Sequence, residues 1–555
     1  MKTKPNREQL LNAAKSFVAS EVGGKALYLS AALLFLLLAV NGLNVVNSFV
    51  GRDFITALAE RNADEFTVQA ILYLVVFALS TLVAVIFRYT EQKLGMLWRD
   101  WLTRRLVGAF LADRTYYRLK QDGGIENPDQ RIADDIRSFT VTTLSFVLMI
   151  LNGSITIITF SGVMWTISPQ LFAVTLAYGA LGSYLTLKLG RPLIGMEYSQ
   201  LDKEADFRGT LHHVWQNTES IALAQREENI ETRLSQRMHS LIANYQRIIL
   251  MHRNLGFFTT GYNYLIQILP TLIVAPLFLR GEVEFGVITQ SAMAFAHLVG
   301  AFSLIVNQFQ SLSSFAAIIA RLGALGEVIR ESRSGRSEGI VISRDEKNWS
   351  YDKLSLLPPK GDRPLLSELS LSVPAKSRVL IAGPNEDAKQ ALFKASAGLW
   401  EHGSGHIILP GAEQIHFLPE RPYFPPGTLR EFIAGVSGNH PADGEPCDAI
   451  LKKLGLMPVV NSLGGLDREH DWTSVLSLDE QQLFSFARIL HARPSYVFLN
   501  RVSGTLSAGR FHDMLELLSE HSIGYLNIGK ADEPEDDYDA VLELKADGLW
   551  NWRDR

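Results

Sequence analysis

Cysteine is nearly absent. The single Cys447 in 555 residues excludes a disulfide scaffold. Charge is also sparse, with Asp, Glu, Lys and Arg at 20%, below the roughly 25% of an ordinary soluble chain. There is no basic excess: 53 Lys and Arg face 58 Asp and Glu, for a net charge of −5. That balance argues against a nucleic-acid partner. What is abundant is apolar surface, at 47% of residues, which excludes a disordered chain. At roughly 150 residues per domain the length allows three or four domain-equivalents. The averages conceal a split, because long apolar runs end near residue 320 and ordinary soluble sequence follows.

Six apolar runs contain no Asp, Glu, Lys or Arg: Leu27–Val50, Phe66–Phe87, Phe139–Trp165, Leu171–Leu187, Leu255–Leu279 and a stretch from Phe285 past Phe309, to about residue 310. Buried helices of a soluble protein keep a charged face, so six membrane spans are expected. The first run is too long for a signal-peptide core and no small-residue cleavage site follows it. Ten basic residues lie between Arg88 and Arg137 and nine between Lys188 and Arg253, against Arg52, Arg61 and Arg280 on the other side. The positive-inside rule therefore places both rich loops and both termini in the cytoplasm. Leu201, Phe207, Leu211, Val214 and Ile221 recur at helical spacing, so the membrane helices are expected to extend beyond the bilayer.

Residues 331–339 (ESRSGRSEG) read as a linker between a membrane domain, residues 1–330, and a soluble domain, residues 340–555. In the soluble part, the buried-strand sequence Arg378–Ala382 runs into Gly383, Pro384, Asn385, Glu386, Asp387, Ala388, Lys389 and Gln390, then a helical stretch. Strand, Gly-led loop, Lys and helix form the context of a phosphate-cradling P-loop. Leu476–Gln482 (LSLDEQQ), Arg488–Pro494 (RILHARP) and the apolar strand Tyr496–Asn500 follow in order.

This series resembles the ATP-binding cassette (ABC) transporters, in the half-transporter arrangement of one membrane domain followed by one cassette. Asn127–Ile132 (NPDQRI), Glu204–Arg208 (EADFR) and Asn217–Ala222 (NTESIA) are similar to motifs of a subgroup with SbmA/BacA-type peptide and corrinoid uptake proteins and peroxisomal fatty-acyl half-transporters. The resemblance implies an exporter-like helical membrane domain, an α/β P-loop NTPase-like domain, and a homodimer with twelve spans around one pathway in a bacterial inner membrane.

Measured against that family, the cassette departs at each catalytic position. Of the nucleotide-binding residues, Gly383, Lys389 and Ser477 match, with Pro384 and Asn385 in the loop between. Glu386 and Asp387 bring carboxylates where a triphosphate would lie. Gln390 replaces the Mg²⁺-ligating hydroxyl and Asn500 the metal-holding Asp, so Mg²⁺ lacks its hard ligands. Arg501 stands at the general-base position and has no acceptor; losing such a base costs about 10²–10⁴ in rate. Glu420, Asp479 and Lys530 stand for the expected Gln, signature Gly and switch His. The resemblance also implies composite sites, each made of one chain's P-loop and its partner's signature. An intact partner would then leave neither site whole. Weak ATP binding at most, with ATPase activity weak or lost and no metal site, is the expectation. A conventional ATP-driven transporter and a non-transporting scaffold are the alternatives.

The resemblance to SbmA-type proteins also implies a proton gradient as an alternative driver, which needs titratable groups facing a cavity. His297 is the ionisable residue of the spans, and Glu197, Asp202, Glu204 and Asp206 line an expected helical extension. These are candidates for proton coupling, against a solvated helix face paired with Lys203 and Arg208. Asn41, Asn44 and Asn47 share one side of the first span, and Asn152, Asn263, Gln267, Asn307 and Gln308 add further amides. They mark either a pathway for a peptide-like or bulky polar solute or hydrogen bonds between helices.

Overall fold

The computed structural model describes residues 15–122, 128–304, 308–334, 339–345, 348–359, 361, 363–435, 446–530 and 533–555. Two compact units divide the chain, residues 1–334 and 335–555.

The first unit is helical. Its elements are α1 (Gly23–Ala59), α2 (Ala63–Leu111), α3 (Thr115–Asp122), α4 (Ile136–Ile167), α5 (Pro169–Gln216), α6 (Glu227–Leu279), α7 (Gly286–Phe302) and α8 (Phe309–Ser334). Local chemistry sets the breaks. Asn62 caps α2 by accepting from the Glu65 N–H at 3.3 Å. Between α4 and α5, Ser168 is extended, its hydroxyl accepts from the Leu171 N–H, and Pro169 takes the first turn, where its missing N–H costs nothing.

Among the described residues, five helical stretches are long and apolar enough to cross a membrane: 23–59, 63–121, 128–167, 169–216 and 227–279. Only 6–22% of each apolar window is buried within the chain, so that surface is available to lipid. Part of the sixth run, residues 305–307, lies outside the described residues. Its described part forms the 17-residue α7, which ends at Phe302 with Ser303 as its cap, about 25 Å against a hydrocarbon core of about 30 Å. The helices do outrun their apolar segments: α2 continues to Leu111, α5 to Gln216, and α6 begins at Glu227. Aromatic packing fixes the bundle, with Phe160, Phe295 and Leu298 in one core and Leu33, Trp98 and Phe139 in another.

The second unit is mixed α/β. A six-stranded sheet has the order β10-β9-β4-β8-β7-β6. Its strands are β4 (Arg378–Ala382), β6 (Ile415–Leu418), β7 (Tyr496–Asn500), β8 (Gly524–Ile528), β9 (Ala540–Leu544) and β10 (Trp550–Asp554). All pairings are parallel except β9 with β10. Every residue of β7 and β8 is buried, as both faces of a parallel sheet demand. A second sheet, β1-β5-β2-β3, uses Ile340–Arg344, Gly403–Leu409, Trp349–Leu356 and Leu366–Val373. Helix α9 (Glu386–Ser396) packs its Ala388, Ala391 and Leu392 into the core that the two sheets share. On the other side lie α10 (Leu429–Ala434), α11 (Leu478–Ala492) and α12 (Ala508–Glu520). The strand readings 378–382 and 496–500 match β4 and β7 residue for residue, while α9 starts five residues before the helix read from Ala391.

Candidate functional site

Parallel strands place their following loops at one edge, and that edge is where open α/β sheets bind ligands. Here it gathers Gly383–Gln390 after β4, Pro419–Glu420 after β6, Asn500–Arg501 at the end of β7 and Gly529–Lys530 after β8. Gly383 sits at φ +109°, and a Cβ there would lie 2.2 Å from the Leu544 carbonyl oxygen, so only glycine fits. Asn385 caps α9, accepting from the Ala388 N–H at 3.0 Å while its amide donates to the Leu365 and Lys545 carbonyls. Pro384 lies exposed in this turn.

The chain's own groups fill the edge. Lys389 is fully buried, and its Nζ lies 2.6 Å from Glu386 Oε1 and donates to the Gly529 carbonyl at 3.2 Å. Glu386 Oε2 accepts from Arg501 at 2.5 Å. One carboxylate thus stands between an ammonium and a guanidinium. Burial pushes the Glu386 carboxyl up, but Lys389 and Arg501 overcome it and hold it below the usual carboxylate range. The hydrogen bond to Glu386 pushes the Arg501 guanidinium up, although burial opposes it. Beside this triad, Gln390 Nε2 donates to Asn500 Oδ1 at 2.9 Å and Asn500 Nδ2 returns a bond to Gln390 Oε1 at 3.2 Å. The two side-chain amides satisfy each other. No group of three or more His, Cys, Asp or Glu gathers to hold a metal among the described residues.

Ser477 caps α11 in a capping box with Glu480, and its hydroxyl donates to Asp479 Oδ1 at 2.6 Å. Asp479 also faces Arg510 at 3.6 Å. The Glu420 carbonyl accepts from Gln482 at 2.7 Å, and the Lys530 N–H donates to Glu533 at 2.9 Å. The residues alone foretold the carboxylates of the loop but not their partners. An i,i+3 spacing could have paired Glu386 with Lys389. Nothing in the linear order joins Glu386 to Arg501, or Gln390 to Asn500.

Within the membrane unit, Asn41 is buried. Its amide donates to Asn152 at 2.8 Å and to the Leu37 carbonyl, and its oxygen accepts from Thr156 at 2.9 Å, so it ties α1 to α4. Asn44 and Asn47 are half-buried on the same helix, and Asn263 and Gln267 are exposed on α6. Asn307 lies outside the described residues. His297 stacks on Phe160 with centroids 4.4 Å apart. Far from it in the chain, Glu204 accepts from Gln200 at 3.2 Å, and Gln200 accepts from the buried Asn244 at 3.0 Å, which links α5 to α6. Asp206 pairs with Arg237 at 2.9 Å, Glu197 lies 3.9 Å from His252, and Asp202 is exposed.

The family described as ABC transporter transmembrane region 2 matches residues 14–279. An ABC transporter ATP-binding protein of Synechocystis is 36% identical over 529 residues, covering 93% of this chain and 80% of the relative. The chain belongs to the ABC transporter family. A chloroplastic ABC transporter D family member 2 of Arabidopsis thaliana is likewise 36% identical, over 90% of the chain and 80% of that protein. A lysosomal cobalamin transporter of Mus musculus is 26% identical, over 89% and 87%. This ABC transporter is therefore a multi-pass membrane protein whose helical unit precedes its α/β unit. Its relatives are named as ATP-binding. In its own α/β unit Gln390 and Asn500 are paired through their side-chain amides.

Proposed function

We propose that this ABC transporter works as a homodimer in a bacterial inner membrane, with both termini cytoplasmic. In this reading it moves a peptide-like or bulky polar solute without hydrolysing ATP at its own cassette. One observation carries the reading: the Glu386 carboxylate stands between Lys389 and Arg501, at the place where a P-loop lysine would meet a phosphate. A triphosphate would have to displace a charge-assisted pair and then lie against the displaced carboxylate. The mutual Gln390–Asn500 amide bonds support the same reading, since hard oxygen ligands for Mg²⁺ are missing there. The α/β unit then serves as a dimerisation and gating scaffold.

Cargo class rests on the amides of the spans and on the cobalamin transporter named among the relatives, whose cargo would be bulky and polar. The energy source in this proposal is the proton gradient, taken up by carboxylates of α5. The Glu204–Gln200–Asn244 hydrogen bonds support that role by bringing a titratable group to a buried polar contact between two long helices.

Steady-state phosphate release by the purified chain in lipid vesicles, with Mg-ATP, tests the first part. The expected rate is the same for wild type and Lys389→Ala. Robust turnover that disappears in Lys389→Ala would overturn the reading in favour of a conventional pump. Uptake of peptide antibiotics and corrinoids by a deletion strain, with and without a protonophore, tests the second part. Unchanged sensitivity and uptake on deletion would leave a non-transporting scaffold as the surviving reading.

A further inference from the structure

Arginines are common where membrane helices leave the bilayer, but three of them gather around one cleft here. Arg88 directly follows Phe87, the last residue of the apolar run in α2, and Arg137 precedes Phe139, the first of the run in α4. Arg99 lies eleven residues beyond Arg88 on α2, three turns along the same face, or about 16 Å. The three arginines line a cleft of about 410 Å³ between α2 and α4, together with Glu91, Ser145 and the apolar Met96, Val141 and Leu144. Among the described residues no carboxylate pairs with any of the three arginines. Glu91, the one acid in the cleft, accepts from Ser145 at 3.0 Å. The cleft is net positive by two charges, three arginines less one glutamate. Met96 and Val141 expose 66% and 51% of their surface, so the floor is open and apolar.

We infer that this cleft is a binding site for an anionic membrane phospholipid. Guanidinium groups match phosphate oxygens with paired N–H donors, and basic clefts between membrane helices suit such headgroups. A free phosphate would use the arginines alone. The apolar floor beside them calls for an acyl chain, and the Trp98–Phe139 contact sets Arg99 level with the start of the apolar run of α4, where a headgroup phosphate would lie. Burying Met96, Val141 and Leu144 under that chain supplies the part of the affinity that inorganic phosphate lacks. The occupant would fasten α2 to α4 at the membrane boundary, so lipid composition would bear on the stability of the bundle.

Native mass spectrometry of the full-length chain, released from micelles containing equal dioleoyl phosphatidylglycerol and dioleoyl phosphatidylcholine, tests the site. The expected result is one retained phosphatidylglycerol adduct. Each arginine removed should weaken it about 5-fold, and Arg99→Ala with Arg137→Ala about 30-fold. Val141→Glu keeps the arginines and places a carboxylate at an exposed position of the floor. It should abolish preferential retention while leaving the thermal unfolding of the lipid-free protein unchanged, which keeps the test valid if the double variant folds poorly. Lys93→Ala, outside the cleft, should retain the adduct. Equal retention of both lipids, retention by Val141→Glu, or thermal stabilisation by inorganic phosphate equal to that by phosphatidylglycerol would each overturn the assignment.

Discussion

Replacing Glu386 by Gln should tighten nucleotide binding while weakening the fold. A unit charge about 4 Å from a phosphate charge costs about 4 kcal/mol at an effective dielectric of 20. Glu386 is 45% exposed, so solvent screening reduces this to about 1–1.5 kcal/mol, close to a 10-fold gain in affinity. The same change turns two charge-assisted bonds, from Lys389 and Arg501, into neutral-acceptor bonds. That loss should lower stability by about 1–2 kcal/mol. Equilibrium titration of the purified full chain with a fluorescent ATP analogue measures the first effect, and thermal unfolding of the α/β unit within the full chain measures the second. Asp387→Asn is the control: Asp387 is exposed and one residue further on, so its change should stay within about 2-fold. Affinity that is unchanged or weaker in Glu386→Gln would refute the idea that this carboxylate holds the phosphate position.

Other outcomes follow from the same structure. Because the Glu386 pKa is lowered on folding, its stabilisation is complete above the unfolded value of 4.5 and is lost as pH falls through the folded value. The wild-type acid unfolding limb should therefore be steeper below about pH 4.5 than that of Glu386→Gln. Burial on β6, aided by Arg488, pushes His416 down to about 4 from 6.5. The unfolded chain binds the extra proton between those values, so stability should decline by up to about 3 kcal/mol from pH 6.5 to pH 4. His416→Gln should flatten that decline in pH-dependent unfolding. Gly383→Ala forces a positive φ on an L-residue and drives its Cβ into the Leu544 backbone, so a loss of more than about 3 kcal/mol is expected, seen as failure of the α/β unit to resist limited proteolysis. Asn41→Leu removes the amide that joins α1 to α4 and leaves Asn152 and Thr156 without it, which should cost about 1–2 kcal/mol in detergent unfolding.

Much of the architecture was legible because two local rules operate strongly. Apolar runs free of charge mark helices that face lipid, and five of them are present at nearly the expected places. Short β-rich runs ending in Gly or Asn mark the strands of a parallel sheet, so β4 and β7 could be read to the residue. In the sixth run, apolar composition continues through Ser303 while the described helix caps there, and composition does not encode where a backbone turn falls. Helix α9 begins earlier than its apolar residues suggest because the cap Asn385 and the acidic first turn of Glu386 and Asp387, rather than hydrophobic spacing, set its start.

By itself the sequence determined that this is a membrane protein with an α/β unit after its apolar helices, and which charged and amide side chains follow the strands of that unit. Those conclusions depend on residue type and linear order alone. Only the tertiary structure decided which of those side chains meet. Glu386 and Arg501 are 115 positions apart and Gln390 and Asn500 are 110 apart, and the parallel sheet brings both pairs to one edge. Read along the chain, Glu386 repels a ligand and Arg501 is a missing base. In the folded protein they neutralise each other beside a buried lysine, because a buried ammonium must find an anion and the nearest one belongs to the chain itself.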